Sequence, residues 1–149
     1  AAGNEGDGRN TISYPACIED VITVGSSTKL GGIAYSSSRG FGLYNGKPIL
    51  KPDIVAPGKS ICSAQYGSFA EWAKCHDDDH IAISGTSMAT PHVAGAAALI
   101  KQASKLTPQE IKSVIMNRAS DIPGYTILDK GAGLLDVYKT LDLKGDDSE

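Results

Sequence analysis

The chain has 149 residues and a formal net charge of −3, from 14 Lys and Arg against 17 Asp and Glu. That length suits one domain with its own core, and the lack of a basic cluster gives nucleic acid or an anionic membrane surface nothing to grip. The longest apolar run, Val93 to Ile100, is far below the roughly 20 residues a membrane-spanning helix needs.

The chain opens on "AAGNEG", with no initiator Met, no charged leader and no long apolar stretch. It is not a signal peptide, and so abrupt a start on small residues reads as a cut from something longer. Val21, Ile22 and Val24 form a short β-branched run ended by Gly25, which predicts a buried strand. A second short strand is expected around Ile33 to Tyr35. Ile54 and Val55 stand between two prolines in "KPDIVAPG", where only a short strand fits. Residues 62–82 break this rhythm with the single Trp, two of the three Cys, two of the three His and a run of three Asp. They read as a surface excursion or lid.

Helical spacing of Val93, Ala97 and Ile100 predicts a helix from about Ser87 to Lys101. A second helix opens at "LTPQE", with Thr107 as N-cap, Pro108 at the first position and Glu110 closing a capping box. Ile111, Val114 and Ile115 make its apolar face. A glycine turn in "GAGLLDVYKTL" introduces a third, short helix around Leu134 to Leu141, and residues 142–149 form a polar tail expected to fray. Buried strands among packed helices indicate an α/β domain, three-layer αβα with a mostly parallel sheet. Only about three strands are found, so part of that sheet is expected outside this chain.

"ISGTSMATPHVAGAAALI" (residues 83–100) places Ser87 where a loop becomes a helix, among small neighbours. Small neighbours let a substrate carbonyl approach. A helix N-terminus offers unpaired N–H groups and a positive dipole end, both suited to an oxyanion. Local physics alone favours a plainer role, since Ser is a preferred N-cap. Asn4 in "GNEG" is likewise an ordinary turn residue when taken alone.

The longer match separates these readings. "SGTSMATPHVAGAAALI" resembles, nearly residue for residue, the nucleophile motif of the subtilisin-like serine peptidases, the subtilases. "AAGNEG", "SYPACIEDVITVGSST", "YSSSRG", "KPDIVAPG" and "GAGLLDVYKTL" resemble further family segments and follow in family order, over residues 1 to about 141. The resemblance implies a subtilisin-like fold, a nucleophilic Ser87, and an oxyanion hole formed by Asn4 and the Ser87 backbone N–H. It also implies that segments around Ala1 to Gly3 and Ser13 to Ala16 wall the pocket for the residue before the cleaved bond. Gly3, Ser13 and Ala16 are then substrate-binding positions, and the small Ser13 and Ala16 leave room for a large apolar side chain. The substrate would be a polypeptide.

A serine nucleophile needs a base and a carboxylate behind it. His92 lies five residues after Ser87 on the same helix and points away from it, and His76 and His80 flank the Asp run. The Asp-[Ser/Thr]-Gly and His-Gly-Thr-His contexts of subtilases do not occur here, and the family counterpart of Asp53 is structural. The resemblance therefore implies that the catalytic Asp and His belong to an N-terminal half, absent from this chain, which would be inactive alone. The alternative is a non-catalytic binding or scaffolding fragment derived from a subtilase.

The chemistry requires no cofactor. Structural Ca²⁺ is compatible with the family, whose tight ligands lie largely in the other half. The loop after "SYPA" forms a weaker cation site on backbone carbonyls in some members. The "CHDDDH" run could hold a cation, although three consecutive Asp cannot all face one ion, and a solvated acidic loop is the better expectation. Cys62 and Cys75 are equally readable as a disulfide or as two thiols, with Cys17 left over. Subtilases are more often secreted than not, which points this chain outside the cell.

Overall fold

The computed structural model describes residues 1–67 and 71–142, so the expected fraying beyond residue 142 lies outside the described residues. Among the described residues there are six strands and four α-helices, in the order β1 (Val24–Ser27), β2 (Gly40–Tyr44), β3 (Lys47–Lys51), β4 (Ile54–Pro57), β5 (Ile61–Ala64), β6 (His80–Ile83), α1 (Thr86–Ala103), α2 (Pro108–Asn117), α3 (Ile127–Lys130) and α4 (Val137–Leu141).

The centre is the parallel pair β1·β4, in register Val24 with Ile54 through Ser27 with Pro57. Side chains alternate across a strand, and β4 is apolar on both faces. Ile54 and Ala56 pack with Val24 against Ala89, Val93 and Ile100 of α1 and Ile111 and Ile115 of α2. Val55 packs the other way, against Ile33 and Ile122. Ile54, Ile100 and Ile115 are fully buried, each contributing about 1.5–3 kcal/mol by burial. Leu134 extends the sheet beyond β4: it bridges Val55 in parallel and Ser120 in antiparallel fashion.

Several expectations need correction. The first strand starts at Val24 rather than Val21, because the carbonyls of Glu19 and Val21 are taken by lysine side chains. The Thr23 N–H, too, goes to the Asp53 carboxylate. Ile33 to Tyr35 is not a strand. It makes one bridge, from Ile33 to Ser27, and then turns as the Ser37 N–H bonds the Ala34 carbonyl. The third helix begins at Val137, since Leu134 is held in the sheet and Asp136 caps the helix by accepting from the Lys139 N–H. The short α3 was not foreseen; Asp129 closes its first turn on the Thr126 N–H and hydroxyl.

Two hairpins are not among the expected elements. β2 and β3 pair through Asn45 and Gly46, both at positive φ, the geometry that makes Asn-Gly a two-residue hairpin turn. β5 and β6 pair antiparallel and bracket the expected excursion. Cys62 and Cys75 form a disulfide across it, Cα to Cα 5.9 Å, while Cys17 is free and buried. The α2 cap is as the sequence indicates: the Thr107 hydroxyl accepts from the Glu110 N–H, and the Glu110 carboxylate accepts from the Thr107 N–H.

Candidate active site

Ser87 lies at the start of α1, which the β1·β4 sheet supports from below. It is not the cap. Gly85 is the N-cap, Thr86 the first helical residue and Ser87 the second. Ser87 is exposed between buried Gly85–Thr86 and buried Ala89. The Gly85 N–H bonds the Gly58 carbonyl at 2.8 Å, which fastens the turn before the serine to the end of β4.

The first-turn donors of a helix have no partner within the helix itself. Here nearly all find one. Met88 donates to the Gly85 carbonyl at 3.0 Å, which also takes the first regular i→i−4 bond, from Ala89, at 3.3 Å. Thr86 donates to the side chain of Asn4, N to Oδ1 2.9 Å. The Ser87 N–H and hydroxyl have no partner among the described residues.

Asn4 is thus oriented by its oxygen. Oδ1 faces the Thr86 N–H and lies 3.3 Å from the Thr86 hydroxyl. The amide cannot flip without setting its NH₂ against a donor. Its Nδ2 is directed away and has no partner among the described residues. A Cβ at Gly85 would lie 3.5 Å from both Asn4 amide atoms, in ordinary contact with them. The Asn4 backbone is fixed as well. The Gly3 N–H donates to the Thr86 hydroxyl at 3.2 Å, the Gly3 carbonyl accepts from the Ser38 N–H at 3.0 Å, and the Glu5 N–H donates to the Ser38 hydroxyl at 3.0 Å. Thr86 and Ser38 were not singled out from sequence. Their role is to hold Asn4 and arises only in three dimensions, although Thr86 stands next to Ser87 in the chain.

The expected pocket residues separate. Gly3 backs onto Ser38, where a Cβ would meet Oγ at 2.9 Å. Ala16 is buried with Ala2, Ile12 and Cys17, beneath the surface. Ser13 is exposed and lines a cleft of about 540 Å³ with Ile12, Tyr14 and, from the β2·β3 hairpin, Phe41 and Leu43. Ala2 and Ile12 connect the two expected walls through one apolar cluster.

No histidine of the chain bonds Ser87. His92 Nδ1 lies 3.0 Å from the Met88 carbonyl on its own helix. His80 Nδ1 lies 2.6 Å from Asp77 Oδ1, and His76 packs edge-on against His80. The acidic run is divided among separate partners, Asp77 to His80 and Asp78 to Lys74. The contact with His80 first, then the Asp79 N–H, hold the Asp77 carboxyl below its ordinary pKa. Among the described residues no group of three or more His, Cys, Asp or Glu is arranged to hold a metal ion.

Comparison with known proteins finds proteases among the relatives and solved structures similar to this chain. The model of the subtilase family matches residues 1–135. Serine protease AprX of Bacillus subtilis is 42% identical over 129 residues, covering 78% of this chain and 28% of that protein. Subtilisin Savinase of Lederbergia lenta is 36% identical over 138 residues, covering 92% of this chain and 43% of that protein. Among solved structures, a protease from Pseudoalteromonas arctica superposes with a TM-score of 0.71 at 28% identity, over 94% of this chain and 40% of that one. The CspB protease of Clostridium perfringens gives 0.68 at 30% identity, over 91% and 29%. The chain thus spans well under half the length of these relatives. It belongs to the subtilase family and has the family's α/β fold.

Proposed function

We propose that this subtilase chain carries the nucleophile and oxyanion hole of a serine endopeptidase whose base and orienting carboxylate come from a segment outside it. Ser87 Oγ attacks the scissile carbonyl and its proton passes to the base, a histidine of that outside segment. The oxyanion forms between two donors, Asn4 Nδ2–H and the Ser87 N–H. As the C–N bond breaks, the histidine returns the proton to the leaving nitrogen, the amine departs and the acyl group stays on Ser87; water, deprotonated by the same histidine, then releases it as the acid and restores the Ser87 hydroxyl. The observation that carries this reading is the orientation of Asn4: its oxygen is occupied by Thr86 while its NH₂ stays open, beside a serine whose own N–H is also open.

Residues 1–141 act as one part of the catalytic domain, and the polypeptide substrate lies along Gly3 and the exposed Ser13. Buried Ala16 backs that wall from beneath, through the cluster it shares with Ala2 and Ile12. The chemistry itself asks for no cofactor. The exposed Cys62–Cys75 disulfide supports work in an oxidising, extracellular compartment, and no helix among the described residues is long and apolar enough to cross a membrane.

Fluorophosphonate labelling of the protein that carries this chain, read by intact mass and peptide mapping, tests the proposal. One label on Ser87, abolished by Ser87→Ala, is expected. A folded protein that remains unlabelled while Asn4 and Ser87 are intact would favour the non-catalytic scaffold instead.

A further inference from the structure

The loop before β1 turns two backbone carbonyls, those of Glu19 and Val21, towards the carboxylate of Asp53, the residue preceding β4. Two carbonyl oxygens and a carboxylate are a hard-oxygen donor set of the kind that holds Ca²⁺. They are already occupied. Lys51 Nζ lies 2.7 Å from Asp53 Oδ2, 3.0 Å from the Val21 carbonyl and 3.4 Å from that of Glu19. Lys112 Nζ, arriving from α2, lies 2.8 Å from the Glu19 carbonyl, 2.9 Å from that of Val21 and 3.3 Å from Asp53 Oδ1. Every oxygen of the set is therefore engaged by an ammonium. Two positive charges already face one carboxylate, so a divalent ion would add charge of the wrong sign at a position where Lys51 is 1% exposed. The residues at this loop do not fit a bound Ca²⁺.

We infer that this cradle is a cation site whose cation is built into the chain: the ammonium groups of Lys51 and Lys112 occupy the place of a metal ion. They tie the loop to the end of β3, to β4 and to α2 at once. Because the ligands are tethered, the loop keeps its position whatever the ion concentration, and it continues directly from the Ser13–Ala16 segment of the proposed substrate wall. Removing the two ammoniums converts the cradle into a metal site.

The test uses crystals of the protein that carries this chain, soaked in TbCl₃, with Tb³⁺ as a calcium probe that scatters anomalously. No peak beside Asp53 is expected in the natural protein, and a peak between Asp53 and the Glu19 and Val21 carbonyls is expected in the Lys51→Ala/Lys112→Ala double variant. In solution, CaCl₂ should raise the melting temperature of the double variant by roughly 5 °C more than that of the natural protein. Adding Asp53→Asn should abolish that excess. A peak beside Asp53 in the natural protein overturns the inference, as does a folded double variant with neither a peak nor an Asp53-dependent shift. The soak of the natural protein needs no variant, so it decides even where the double variant fails to fold.

Discussion

Replacing Asp53 by Ala removes the single carboxylate facing two lysines and should be among the most damaging substitutions in the chain. Asp53 Oδ2 accepts from the Thr23 N–H at 2.6 Å and from Lys51 at 2.7 Å, while Oδ1 lies 3.3 Å from Lys112. Its loss leaves the Lys51 ammonium, 1% exposed, with carbonyl partners only. An uncompensated buried charge costs about 3–5 kcal/mol, and a stranded buried N–H such as that of Thr23 costs about 1–3 kcal/mol. The two share one relaxation, so the expected total stays near 3–5 kcal/mol, a third or more of a typical domain's stability. Lys112 is different. Its side chain is 20% exposed, and Lys112→Ala leaves Asp53 paired with Lys51, so the expected loss is only about 1 kcal/mol. Urea unfolding with the slope held constant measures both. A loss below about 1 kcal/mol for Asp53→Ala, or a larger loss for Lys112→Ala, would refute the view that a buried charge imbalance dominates this network.

Asn4→Ala should lower kcat about a hundred- to a thousand-fold with little change in KM, the size known for the oxyanion asparagine of a subtilisin; steady-state kinetics on a peptide substrate reads it, and an unchanged kcat refutes the role. Glu110 is held below its ordinary pKa by the Thr107 N–H first and the Thr107 hydroxyl second. A depressed carboxylate contributes stability that is fully present above the ordinary value of 4.5 and lost as pH falls through the folded value. An NMR titration should therefore find Glu110 titrating below 4.5 and reverting towards it in Thr107→Ala, a variant expected to lose about 1 kcal/mol. Reduction of Cys62–Cys75, whose sequence separation is 13, should cost about 3 kcal/mol; an unfolding midpoint that does not move on reduction contradicts that.

What the sequence revealed depended on how far apart the interacting residues lie. The α2 cap needs only Thr107, Pro108 and Glu110, so contiguous residues suffice to predict it. Asn45-Gly46 was equally local and readable as a hairpin turn. It passed unrecognised because the flanking Lys47, Pro48 and Lys51 disguise the strand pattern. The β5·β6 pairing was hidden in another way: Ala64 and His80 are partners across an irregular stretch, and composition there suggests only a lid. The Lys51–Asp53–Lys112 network lies beyond sequence reading altogether. It joins residues up to 93 apart, and its effect, a first strand that starts three residues late, shows up where no lysine is present.

The same distinction explains why local physics takes Ser87 for a cap. A capping serine uses its oxygen on a donor of its own first turn. That task has been handed to Asn4, 82 residues upstream, whose oxygen takes the Thr86 N–H. The Gly85 carbonyl takes those of Met88 and Ala89. With the other first-turn donors engaged, the serine keeps both its hydroxyl and its N–H unused, and the remote cap brings its own free NH₂ to the same place. One interaction, Asn4 Oδ1 with the Thr86 N–H, therefore satisfies the helix terminus and turns the Asn4 NH₂ away from it. A serine freed from capping duty in this way keeps its hydroxyl available, and in the proposed mechanism the residue that takes over the cap is also the second oxyanion donor.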